Sequence, residues 1–203
     1  MDDGPGDALM GQRSPKNGRS RADDEDSGVS VGEPKRVLVA GVGNVLRGDD
    51  GFGLSVVQAL AAAGDLPAGV RIVEIGTGGI GLVHELMDRY DALIVVDAVD
   101  RAGAPGALYV LEPVVPDVSA LAVGECQELA TDLHQAVPGR TLVLAKAVGV
   151  LPPLVRLVGC QPAETEELLI GLSAPVERAV PAALAAIRSI VASLTEPDAE
   201  ELV

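Results

Sequence analysis

An α/β fold, with one twisted, mostly parallel sheet of five strands and helices on both faces, is the single-domain architecture this chain predicts. Three observations carry that expectation. Short aliphatic runs such as Val37 to Val42 alternate with amphipathic stretches such as Leu54 to Ala63. Glycine-rich turns stand between them, as at Gly76-Thr-Gly-Gly79. Finally, 48% of the 203 residues are apolar, yet there is one Phe, two Tyr and no Trp, so Val, Leu, Ile and Ala must fill the core. Such a composition suits strands buried under helices on two sides, and the length suffices for one sizeable core.

Each element has its own signal. Val37 to Val42 is uninterrupted and reads as a buried first strand, followed by a glycine loop and a helix over Gly51 to Ala63. Val70 to Ile75 is the second strand, and Ile80 to Arg89 a helix with Leu82, Val83, Leu86 and Met87 on one face. Ala92 to Val96 is the third strand, stopped by Asp97; together these make a βαβαβ unit with right-handed crossovers. Gly106 to Leu111 follows the turn Gly103-Ala-Pro-Gly106 so closely that an antiparallel edge strand is expected. Thr131 to Val150 reads as helical with a break at Pro138-Gly139, Leu154 to Val158 as a buried strand, and Val176 to Leu194 as the closing helix, irregular near Pro181.

Residues 1–34 hold seven apolar residues among Gly, Ser, Pro, Asp and Arg, too few to offset the entropy of ordering, and are expected to be a disordered acidic tail. The folded domain is expected over 35–196, with a short tail at 197–203. The tail has 4 basic and 8 acidic residues, which leaves 11 basic and 22 acidic residues, a charge of −11, for the rest of a chain whose total is −15. That surface repels phosphate backbones, so nucleic acid is not an expected partner. No apolar run approaches the ~20 residues that span a bilayer, and the start lacks a secretory signal. Cys126 and Cys160 give neither a disulfide framework nor a metal cluster. A cytoplasmic protein, monomeric and away from membranes, is the expectation.

The chemistry is expected at the carboxyl ends of the strands, where open α/β sheets place their sites. Val37 to Gly53 carries adjacent Asp49 and Asp50; Asp97 ends the third strand; His134 sits in Thr131-Asp-Leu-His-Gln135. The first and third strands neighbour one another around the switch point, which puts Asp50 and Asp97 on one rim. Two carboxylates and an imidazole suit a divalent metal. Plainer roles exist for each: Asp49 or Asp50 capping the next helix, Asp97 closing a turn, His134 as an ordinary helix residue. His84, Asp88, Arg89 and Glu164 to Glu167 read as solvated. A dinucleotide site at Gly41-Val-Gly43 is disfavoured, because Leu46 stands where the third glycine belongs and two acids would face the pyrophosphate; Glu74 is the residue that would hold a ribose there.

Gly41-Val-Gly-Asn-Val-Leu-Arg-Gly-Asp-Asp-Gly-Phe-Gly53 resembles the signature of the nickel-iron hydrogenase maturation endopeptidases. Gly76 to Gly79, Val95-Val-Asp-Ala98, Ala104-Pro-Gly106, His134-Gln135, and Leu157-Val-Gly159 leading to Gly171-Leu-Ser173 match in order, so the likeness covers about residues 36–194. It implies an endopeptidase that trims the C-terminal extension of a hydrogenase large-subunit precursor after nickel insertion. It places the catalytic and nickel-contacting positions on Asp50, Asp97 and His134, with the nickel brought in by the client. The family commonly has Asp before the glycine-threonine block; Glu74 or Ile75 occupies that region here. Asp50, with Asp49 as the alternative, is the candidate general base, and no Ser or Cys nucleophile with a partnered His stands out. A non-catalytic checkpoint protein binding the same precursor is the alternative. Rim residues add little to packing, so Ala at Asp50, Asp97 or His134 is expected to remove activity and spare the fold.

Overall fold

The structure is a computed structural model that describes residues 35–117, 138–163 and 168–195. These all lie within one compact unit, Glu33–Val203. The expected tails at 1–34 and 197–203, His134, Cys126 and the Glu164 to Glu167 run lie outside the described residues.

Five strands form one sheet: β1 (Val37–Val42), β2 (Val70–Gly76), β3 (Ala92–Ala98), β4 (Leu108–Leu111) and β5 (Leu154–Cys160). Their spatial order is β2-β1-β3-β5-β4. β1 pairs in parallel with both β2 and β3, and β3 in parallel with β5. Only β4 runs antiparallel, against β5 at the edge. The chain reaches β3 by crossing back over β1, so the switch point falls between the two central strands, as the sequence predicts.

Among the described residues, four helices cover the sheet: α1 (Phe52–Ala63), α2 (Gly79–Leu86), α3 (Pro138–Ala147) and α4 (Ala174–Thr195). Side chains alternate across a strand, and β1 divides accordingly. Val37 and Val39 join Phe52, Val56 and Leu60 of α1 and Val176, Ala183 and Ile187 of α4. Leu38 and Ala40 face Leu82 and Leu86 of α2 and Leu142 and Ala145 of α3. Thus α1 and α4 pack on one face, α2 and α3 on the other.

The differences from expectation are local. Pro138 is the first residue of α3, where its missing N–H costs nothing; residues 131–137, on which the expected break also depends, lie outside the described residues. Met87 lies beyond the end of α2 and is 57% exposed, so it is not part of the buried stripe. β3 continues through Asp97, which pairs with Gly159, instead of stopping before it. At 22 residues and a mean hydropathy of 1.3, α4 is long and apolar enough to cross a membrane by length and composition. Here its stripe of Val176, Ala179, Ala183, Ile187 and Val191 is buried against the sheet.

Candidate active site

The loop after β1 is set by two glycines. Gly43 has φ +125°, and a Cβ there would collide with the Asp50 carbonyl. At Gly53 a side chain would strike the carbonyls of Val42 and Val96, so its absence lets α1 cross directly over the ends of β1 and β3. The dinucleotide-like glycine pattern therefore serves close packing of helix on strand. Between the glycines the backbone closes on itself: Asn44 N–H donates to the Asp50 carbonyl at 3.2 Å, and Arg47 N–H to the Asn44 carbonyl at 3.0 Å. A 3-10 turn over Gly48–Gly51 then carries both aspartates.

Neither aspartate caps a helix, for no side-chain cap bond exists at the start of the turn or of α1. Asp49 points inward and is 1% exposed. Its Oδ2 accepts from Ala163 N–H at 2.8 Å and from Ser173 Oγ at 2.9 Å, while Oδ1 accepts from Ser173 N–H at 2.6 Å. One carboxylate thus holds two points ten residues apart in the chain after β5 to the loop after β1. Both Asp49 oxygens are engaged in this clamp.

Asp50 is half-buried and near enough to Asp97, on the end of the neighbouring strand, for its charge to act there. Burial raises the Asp50 carboxyl above its ordinary value, against the opposing pull of the Arg47 charge and a bond from the Asn44 backbone. Asp97 is driven well above the usual carboxylate range, first by burial and then by the negative charge of Asp50, with the Ala98 N–H pulling the other way. That N–H donates to Asp97 Oδ1 at 2.9 Å. Two raised carboxyls in a desolvated corner, the deeper one also opposed by the charge of its neighbour, are suited to a shared cation or a proton-transfer task.

The structure therefore brings Asp50 and Asp97 together, while His134 lies outside the described residues. Among the described residues no three His, Cys, Asp or Glu side chains form a metal-binding group. Asp97 is 4% exposed, which corrects the expectation that it stands on an exposed rim: β3 is flanked by β1 and β5, and its extension carries the carboxyl beneath the loop. His84 is exposed, and Glu74 is exposed, accepting from Gln58 Nε2 at 3.0 Å. The Asp49 clamp and Arg47 were not singled out by sequence reasoning; two adjacent acids with one cap between them were the only signal.

A family model described as hydrogenase maturation protease matches residues 54–190. The chain belongs to this family. Among its relatives, the hydrogenase expression/formation protein HupD of Rhodobacter capsulatus is 38% identical over 135 residues, 66% of this chain and 61% of that protein. The hydrogenase 2 maturation protease of Escherichia coli (strain K12) is 34% identical over 168 residues, 82% of this chain and 95% of that protein. Among solved structures, the hydrogenase 2 maturation peptidase from Thaumarchaeota archaeon SCGC_AB-539-E09 superposes with a TM-score of 0.56 at 39% identity, covering 77% of this chain and 98% of that one. This maturation protease is accordingly a hydrolase of the endopeptidase kind, on the five-stranded α/β fold expected of it.

Proposed function

We propose that this protease removes the C-terminal extension of a nickel-iron hydrogenase large-subunit precursor, and that it does so once nickel sits in the client. The observation that supports this is the pairing of Asp50 and Asp97 at the carboxyl ends of the central strands, each carboxyl held above its ordinary value. A cation between them relieves both the burial cost and the mutual repulsion. Two carboxylate oxygens, with the imidazole of His134 that the family resemblance assigns to the same ion, make up a mixed donor set of the kind that suits nickel already held in part by client ligands. A client that lacks the ion leaves the pair repelling, which gives a physical basis for reading nickel before cutting.

Asp97, the deeper of the two, holds the cation in place; Asp50, nearer the solvent, takes the proton of the attacking water and returns it to the leaving amine. When bound, the ion orients and polarises the scissile carbonyl. The hydroxyls serve elsewhere: Ser55 Oγ donates to the Gly51 carbonyl at 3.0 Å and Ser173 Oγ to Asp49. Cys160 is fully buried with its thiol pushed up to about 11, unsuited to nucleophilic attack. The reading takes the protease as a monomer working in the cytoplasm, away from membranes and nucleic acid; the charge of −15 supports the last point.

The test mixes the full chain with its precursor, nickel-loaded and nickel-free, and follows intact mass. Loss of the extension from the loaded form alone is expected. A loaded precursor that stays whole would leave a binding role and overturn the peptidase reading.

A further inference from the structure

The segment Leu168-Leu169-Ile170 lies beside the loop that carries Asp50. Gly48 N–H donates to the Leu169 carbonyl at 2.7 Å and Leu169 N–H to the Leu46 carbonyl at 3.1 Å, the pattern of a parallel bridge between Arg47 and Leu169. Both backbone groups of Leu169 are spent on that loop, so those of Leu168 and Ile170 point to the opposite side, away from it. Their side chains are 88% and 82% exposed. Val45, Leu46 and Leu169 are exposed on the same two bridged segments, so five large aliphatic side chains are presented there beside the exposed cation of Arg47 in a chain of net charge −15. The Asp49 carboxylate fixes Ala163 and Ser173, on either side of this segment, to the same loop. A strip held in register with the Asp50 loop, apolar and offering outward backbone groups, is poor surface for water and good surface for an added strand.

We propose that this strip docks the precursor's own peptide, extended and apolar, on the stretch adjoining the scissile bond, with backbone pairing along Leu168 to Ile170 and side-chain contacts to Leu168, Ile170 and Leu46. The inference rests on the peptidase reading above. Its occupant follows from continuity: an endopeptidase must lay out its substrate across Asp50 and Asp97, and the strip is bonded to the residues that carry Asp50. The apolar side chains select for aliphatic neighbours of the cleaved bond, while the carboxylates select for the metal.

The test uses the full chain with nickel-loaded precursor and compares wild type with the double variant Leu168→Ser/Ile170→Ser. Val148→Ser, at an exposed apolar position outside the strip, is the control. Both changes are on the surface, and thermal melts should match wild type. The double variant should raise KM for tail removal roughly tenfold and leave kcat in place, with the control at wild-type values. Precursor affinity, measured separately by calorimetry on the Asp50→Asn background, should fall by the same factor. If wild type does not cut at all, the peptidase reading fails, and the affinity measurement still decides the docking claim. An unchanged KM and an unchanged affinity overturn it. So does sedimentation showing wild type as a dimer that the double variant dissolves, since the occupant is then a second copy.

Discussion

Replacing Asp49 by Ala withdraws the acceptor for at least three short hydrogen bonds, at 2.6, 2.8 and 2.9 Å, from a position 1% exposed. A bond to a charged group contributes about 1.5–3 kcal/mol, and donors stranded in a buried site add their own cost. Water entering the vacated space recovers part of this, so the net loss should be about 3–5 kcal/mol, in the range of breaking a buried charged network. Against a usual total of about 5–15 kcal/mol, such a loss is severe, and Tm should drop by roughly 6–20 °C for a domain of this size. The chain has no Trp, so the assay is urea or thermal unfolding followed by far-ultraviolet circular dichroism. Ser173→Ala, which keeps the backbone donor and removes only the hydroxyl bonded to the carboxylate, should cost about 1.5–3 kcal/mol. An Asp49→Ala variant within about 1 kcal/mol of wild type would refute the clamp, because three bonds to a buried charge cannot vanish at the cost of one neutral bond.

Three further outcomes follow from the electrostatics. Asp97 titrates above its unfolded value, so the folded chain holds that proton to higher pH; stability is fullest below the unfolded carboxylate range and declines as pH climbs toward the raised folded value. Asp97→Asn should therefore melt at or above wild type near neutrality while losing cleavage, and the gap should close near pH ~4; a variant less stable at neutral pH contradicts this. The Arg47 charge holds the Asp50 carboxyl down, so Arg47→Gln should move the acid limb of kcat/KM toward higher pH, and an unmoved limb would separate Asp50 from the proton transfer. Cys160, buried and with its thiol near about 11, should resist a thiol reagent in the native chain at pH ~8 and react on unfolding, as peptide mass mapping can show.

Much of this molecule is legible before any coordinates. The strand-loop-helix signature of Val37 to Ala63 predicts β1 and α1, and the switch-point rule places Asp50 beside Asp97 because β1 is paired on both sides. The short link before Leu108 foretells the antiparallel edge. What escaped was whatever depends on contacts distant in sequence. The partners of Asp49 lie 114 and 124 residues away, so its structural role is invisible to local pattern. Asp97 reads as a strand stop because a charged residue usually marks solvent; the flanking strands and the overlying loop bury it instead.

The most direct measurement is the single-turnover rate of tail removal from the nickel-loaded precursor by Asp50→Asn, an exchange that keeps shape and removes charge. The account predicts a loss of at least roughly a hundredfold, the ordinary share of a positioned base, in a variant whose melt stays at the wild-type value. Cleavage by that variant at the wild-type rate would contradict the assignment of the paired aspartates as the working centre.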